Sequence, residues 1–134
     1  MTKTTLKYVP VTVLDVDQSL PFYRDALGFE VVSDVANGGF RWVSLAVPGQ
    51  SGLNLVLSAP GAGRSADDAA ALERLVAKGA MGGLVFTVED LDAVFETVSA
   101  SGAEVLQEPK VQPWGPRDCA FRDPSGNMVR INAA

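Results

Sequence analysis

Val13-Leu14-Asp15-Val16-Asp17 has a counterpart 75 residues further on, Asp15 to Asp90, in Val88-Glu89-Asp90-Leu91-Asp92. Each copy passes from an apolar, strand-like stretch into an acidic helix start. Helical spacing follows in both: Leu20, Tyr23 and Leu27 after the first, Leu91, Phe95 and Val98 in the second. Asp17 and Asp92 are the expected N-caps, with Asp15 and Asp90 as alternatives. Gly28 and Gly102 suit left-handed C-caps, and strand-like runs follow at Phe29-Glu30-Val31-Val32 and Ala103-Glu104-Val105-Leu106. The later parts repeat with an offset of 76: Val47-Pro48 matches Asp123-Pro124, and Leu53-Asn54-Leu55 matches Val129-Arg130-Ile131. The halves therefore differ by one inserted residue. The pattern describes an α+β chain of two βαβββ modules, about 6–58 and 82–133, in one domain spanning 1–134. Between them, 59–81 holds a Gly/Pro linker and a short amphipathic helix with Ser65 as cap and Leu72, Leu75 and Val76 as its apolar stripe.

Composition narrows the function. The chain has 134 residues, 47% hydrophobic and 20% charged, enough for one packed domain. Cys119 is the single cysteine, so no intrachain disulfide forms and a reduced, cytoplasmic setting is expected. The opening MTKTTLKYVPV lacks the apolar stretch of a secretion signal. No apolar run approaches the roughly 20 residues of a membrane span. A net charge of −5 disfavours nucleic acid as a partner. The chain has no histidine, which excludes histidine triads, histidine acid–base catalysis and histidine-ligated metals.

The stretch from Val13 to Phe29, with Phe22-Tyr23-Arg24-Asp25-Ala26-Leu27-Gly28-Phe29 at its end, resembles the first-module signature of the vicinal oxygen chelate superfamily. That superfamily includes glyoxalase I, fosfomycin-resistance enzymes, extradiol dioxygenases and bleomycin-resistance proteins. Arg122-Asp123-Pro124-Ser125-Gly126-Asn127 resembles its second-module signature, and Val88-Glu89-Asp90-Leu91-Asp92-Ala93 stands at the matching place between them. The resemblance implies the glyoxalase/bleomycin-resistance fold, in which the modules curl into a cup-shaped mixed sheet. It also implies a homodimer with a ligand cavity in each cup. Physically, most of these residues are structural: Asp123 to Asn127 is a turn between strands, with Gly126 free to adopt positive φ.

Strand alternation assigns the cup interior. Tyr8, Pro10, Thr12 and Leu14 face it from the first strand, while Val9, Val11 and Val13 pack under a helix. Trp42, Ser44 and Ala46 face in from the third strand, and Asn54 and Val56 from the fourth. In the second module the same rule selects Gly83, Val85 and Thr87, then Asp118, Ala120 and Arg122, and finally Met128, Arg130 and Asn132. Trp114 lies in Gln112-Pro113-Trp114-Gly115-Pro116, a turn at the rim. Expected ligand-binding residues are Tyr8, Thr12, Trp42, Ser44, Asn54, Thr87, Trp114, Asp118 and Arg130; catalytic residues are not assigned. Arg130 is either the ion-pair partner of Asp118 or an anion anchor. Cys119 faces the core.

The metal-ligand positions implied by the resemblance fall on Tyr8, Asn54, Gly83 and Arg130. Glycine has no donor, arginine is a permanent cation, tyrosine is protonated at neutral pH, and asparagine alone is a weak donor. No metal and no cofactor are therefore expected. Metal-assisted glyoxalase, transferase and dioxygenase chemistry all polarise substrate oxygens through the metal. The expected function is metal-free binding of a small molecule, sequestering a drug or metabolite. The alternative is a glyoxalase-family enzyme, a lyase, isomerase or dioxygenase-like, acting on a small oxygenated substrate.

Overall fold

The chain's strand segments are rich in β-branched and aromatic residues, which suit a pleated, half-buried surface. A computed structural model describes residues 2–134. The first half contains β1 (Tyr8–Thr12), α1 (Val16–Leu20), β2 (Glu30–Asn37), β3 (Phe40–Ala46) and β4 (Asn54–Ser58). Next comes α2 (Ala66–Ala77), and the second half repeats the plan with β5 (Leu84–Val88), α3 (Leu91–Ala100), β6 (Glu104–Val111), β7 (Arg117–Arg122) and β8 (Met128–Ala133). The strands form two mixed four-stranded sheets of identical order, β1-β4-β3-β2 and β5-β8-β7-β6. In each, the first and last strands pair in parallel and the other pairs are antiparallel.

The helix caps differ from the first expectation. Asp15 Oδ1 accepts from Gln18 N at 2.9 Å, and Asp90 Oδ1 accepts from Ala93 N at 3.1 Å. Asp17 and Asp92 instead lie in the first turns, where a carboxylate also suits the helix dipole. Instead, Asp17 accepts from Arg41, and Asp92 from Arg117. The first helix also widens. Beyond Leu20, Pro21–Ala26 forms a π-helical stretch in which Leu27 N reaches back to Phe22 O at 3.0 Å. The wider turn sets Phe22 and Tyr23 side by side in the core, ring centroids 4.9 Å apart. Ser65 caps α2 by accepting from Asp68 N at 3.2 Å, and Val76 is fully buried.

One apolar core joins both halves. Val11, Val13, Leu45 and Leu57 from the first sheet share it with Cys119, Phe121, Val129 and Ile131 from the second, and Leu20, Tyr23, Leu91 and Val98 come in from the helices. Phe29 meets Phe86 across the halves, edge to face, with centroids 5.2 Å apart. Three polar bonds cross the same boundary. Tyr23 Oη donates to Asp123 Oδ2 at 2.6 Å, Leu14 N to Ser125 Oγ at 2.8 Å, and Asn127 Nδ2 to the Thr12 carbonyl at 2.9 Å. The turn between β7 and β8 is thus also the bolt between the halves. Among the described residues no helix is long and apolar enough to cross a membrane.

Candidate ligand-binding site

With the helices on one side, each sheet has a second, open face, and the strand registers state who shares it. In the first sheet Tyr8 lies beside Asn54, Asn54 beside Ala46, Val56 beside Ser44, and Trp42 beside Val35. Cross-strand neighbours point to the same side. In the second, Val85 lies beside Arg130, Thr87 beside Asn132, Asn132 beside Asp118, and Arg130 beside Ala120. The period-2 assignment of these side chains therefore agrees with the registers. Arg122, at the end of β7, departs from it. Its guanidinium bonds Glu104 at 3.1 Å and the Gly126 carbonyl at 2.8 Å, at the turn rather than in the middle of the face.

On the first sheet the site is aromatic. Tyr8 and Trp42 pack edge to face with centroids 5.3 Å apart, yet stay 38% and 43% exposed. Such a pair offers a broad apolar surface with polar tips. Lys7 Nζ lies 5.3 Å from the Tyr8 ring centroid. Ser44 stands on the same face but is buried, covered within its strand layer. Thr12 lies at the far end of β1, next to Asn127, where a small cavity of about 110 Å³ opens between Pro10, Gly82 and Leu84. Trp114 is 73% exposed in the β6–β7 turn.

On the second sheet the site is a polar network around one buried carboxylate. Asp118, 1% exposed, accepts from Gln112 Nε2 at 2.8 Å and Gln107 Nε2 at 2.9 Å through Oδ1. Its Oδ2 accepts from Arg130 Nη1 at 2.8 Å. Gln112 Nε2 also donates to Gln107 Oε1 at 2.9 Å. Burial alone would raise the Asp118 pKa, but bonds from Gln112, Gln107 and Arg130, together with the arginine's charge, outweigh it and hold the group below the usual carboxylate range. Its contribution to stability is accordingly present above about pH 4 and is lost as pH falls through the depressed value. Gln107 and Gln112 are absent from the sequence expectation. Register shifts flank Gln107 in β6, and Gln112 sits in a turn, so alternation carries no information about either.

A metal ion of the kind the resemblance implies does not fit these residues. A Cβ on Gly83 would lie 2.8 Å from the Met128 carbonyl oxygen and 3.0 Å from Met128 Cε, so the space for a ligating side chain is filled. Arg130 keeps its charge and is already paired with Asp118. Among the described residues no cluster of three or more His, Cys, Asp or Glu is placed to hold a metal.

Cys119 is buried on the core side of β7. Burial and the charge of Asp118 push its thiol up to about 11, against lesser opposing effects of Arg130 and Arg117. The native thiol is expected to react with a disulfide reagent at pH 8 at least about 100-fold more slowly than in denaturant, since thiolate is the reactive form. Native reaction at the denatured rate would contradict its placement.

Comparisons with known proteins agree with this architecture. The sequence model of the Glyoxalase/Bleomycin resistance protein/Dioxygenase superfamily matches residues 5–131. The crystal structure of UcmS2 superposes with a TM-score of 0.88 at 32% identity, covering 98% of both chains. TnmS3, an antibiotic binding protein from Streptomyces sp. CB03234, superposes with a TM-score of 0.76 at 26% identity, over 99% of this chain and 98% of that one. The uncharacterized protein YurT of Bacillus subtilis (strain 168) is 28% identical over 122 residues, 90% of this chain and 92% of that protein.

Proposed function

Since the chain belongs to the Glyoxalase/Bleomycin resistance protein/Dioxygenase superfamily, we propose that it is a metal-free binding protein that holds a small molecule on the open faces of its sheets. The observation that carries this is the Arg130–Asp118 pair, 2.8 Å apart where the resemblance puts a metal ligand. A permanent cation with its own buried counter-charge cannot share that place with a divalent ion. What the site offers instead is the aromatic pair Tyr8–Trp42 and a set of fixed polar groups, the mixture that binds small organic molecules. The likeness to an antibiotic binding protein supports the same use.

We also infer that two copies complete the site. In one chain Trp42, Val35, Val85 and Trp114 remain 43%, 54%, 60% and 73% exposed. A second copy laid over these faces would cover them and enclose the ligand, as the family resemblance implies. Native mass spectrometry of freshly purified protein, with elemental analysis of the same sample, tests both parts. The expected result is a dimer without stoichiometric metal, retaining a small organic ligand or taking one up from a compound panel. One divalent metal per chain would overturn the metal-free reading, and a monomer at micromolar concentration would overturn the two-copy site.

A further inference from the structure

We propose that the second sheet's open face is an oxyanion receptor: the free edge of Arg130, Nε with Nη2, grips a carboxylate-like group of the ligand. This rests on the small-molecule reading above and names the chemistry of that ligand.

Arg130 spends one nitrogen inside the protein. Nη1 donates to Asp118 Oδ2 at 2.8 Å and reaches Gln107 Oε1 at 3.4 Å. Nε and Nη2 have no partner among the described residues, and the side chain is 26% exposed. A guanidinium held by one corner presents its remaining edge as a rigid fork, the geometry that matches a carboxylate. The acceptors around it are consumed: both Asp118 oxygens and Gln107 Oε1 accept from within the network. Asn132, two residues on along β8, buries Oδ1 without a partner, which turns the donor end of its amide outward. The face is therefore rich in donors.

Charge points the same way. Lys110 stands opposite Asp118 in the β6–β7 ladder. With Arg130 it outnumbers the single carboxylate on that part of the face, although the whole chain carries −5. A cationic ligand would meet two cations there.

The test uses three probes with one ring system: naphthalene-2-carboxylate, naphthalene-2-methanol and naphthalen-2-ylmethylammonium. Binding to the intact protein is read by isothermal titration calorimetry at 0.15 M salt, where the chain's distant charges are screened beyond about 8 Å. The carboxylate is expected to bind about ten-fold or more tighter than the alcohol, with the ammonium weakest. Arg130→Met combined with Asp118→Asn, which leaves no bare buried carboxylate, should bring carboxylate and alcohol to within about two-fold of each other. Asp118→Asn alone should tighten the carboxylate several-fold relative to the alcohol, by roughly the interaction of one charge across the face. A merely structural role for Asp118 would weaken both probes. Equal binding of all three to the native protein, or a preference that survives loss of Arg130, overturns the oxyanion receptor and leaves the small-molecule reading standing. No binding of any probe also overturns it, and the native mass spectrum then judges the broader reading by itself.

Discussion

Asp123→Ala is expected to lower the unfolding free energy by about 3–5 kcal/mol, the sum of several buried donors left without an acceptor. Asp123 is buried, and its two oxygens serve five donors. Oδ1 accepts from the backbone N–H groups of Ser125, Gly126 and Asn127, each at 2.9 Å. Oδ2 accepts from Tyr23 Oη at 2.6 Å and Asn127 Nδ2 at 2.9 Å. Removing the carboxylate loosens the β7–β8 turn and one polar tie between the halves together. Urea denaturation of the variant beside the native protein measures the loss; a change below about 1 kcal/mol, the level of an ordinary surface substitution, would refute this account. Tyr23→Phe isolates the cross-module bond, with an expected cost of about 1.5–3 kcal/mol for a hydrogen bond to a charged group. Burial, the charge of Asp123 and the hydrogen bond to it all push the Tyr23 phenol above its ordinary value. The sign follows: this contribution is complete below about pH 10 and is lost as pH rises beyond it, so alkaline unfolding should weaken in Tyr23→Phe.

Gly126→Ala is expected to cost about 3–4 kcal/mol, combining backbone strain with a backbone clash. Gly126 has φ +116°, and a Cβ there would lie 2.5 Å from the Val76 carbonyl oxygen and 2.9 Å from that of Ala77. Those oxygens are backbone atoms of the last turn of α2, so they cannot swing aside as a flexible side chain would. Gly102→Ala provides the control, because Gly102 also has positive φ, +91°, but open space around the missing Cβ. Its cost should be the backbone part alone, about 1 kcal/mol. Thermal melts of both variants separate the two contributions. Equal losses would show that α2 does not sit against the turn as described.

The repeat around Asp15 and Asp90 was enough to read the fold, because one supersecondary unit written twice carries its hydrophobic period twice. Val11, Val13, Phe121 and Ile131 are buried, as alternation requires, and Tyr8, Trp42, Asp118 and Arg130 lie on the other face. Of the two cap candidates at each helix start, Asp15 and Asp90 cap rather than Asp17 and Asp92, because every acidic residue in these short runs can cap and only backbone geometry chooses among them. The π-helical turn at Pro21–Ala26 was not legible, since its hydrophobic spacing also suits an ordinary helix. Ser44 lies on the face that alternation assigns to it and yet is buried: facing a direction is a property of the strand, while being reachable depends on what the neighbours cover.

Local sequence determined the elements, the side of the sheet that most strand residues face, and the residue types at the implied metal-ligand positions, because these depend on period and residue type. Tertiary structure decided how the side chains meet. Asp123 and Tyr23, 100 residues apart, are brought together by the packing of the halves. Gln107 and Gln112 close on Asp118 because β6 is irregular, and a register shift breaks the alternation that makes a strand readable. Arg130 pairs with Asp118 along a diagonal between neighbouring strands, so one corner of its guanidinium is bound and the opposite edge is free. That division depends on the positions of atoms from three strands and a turn, which no local pattern in the chain encodes.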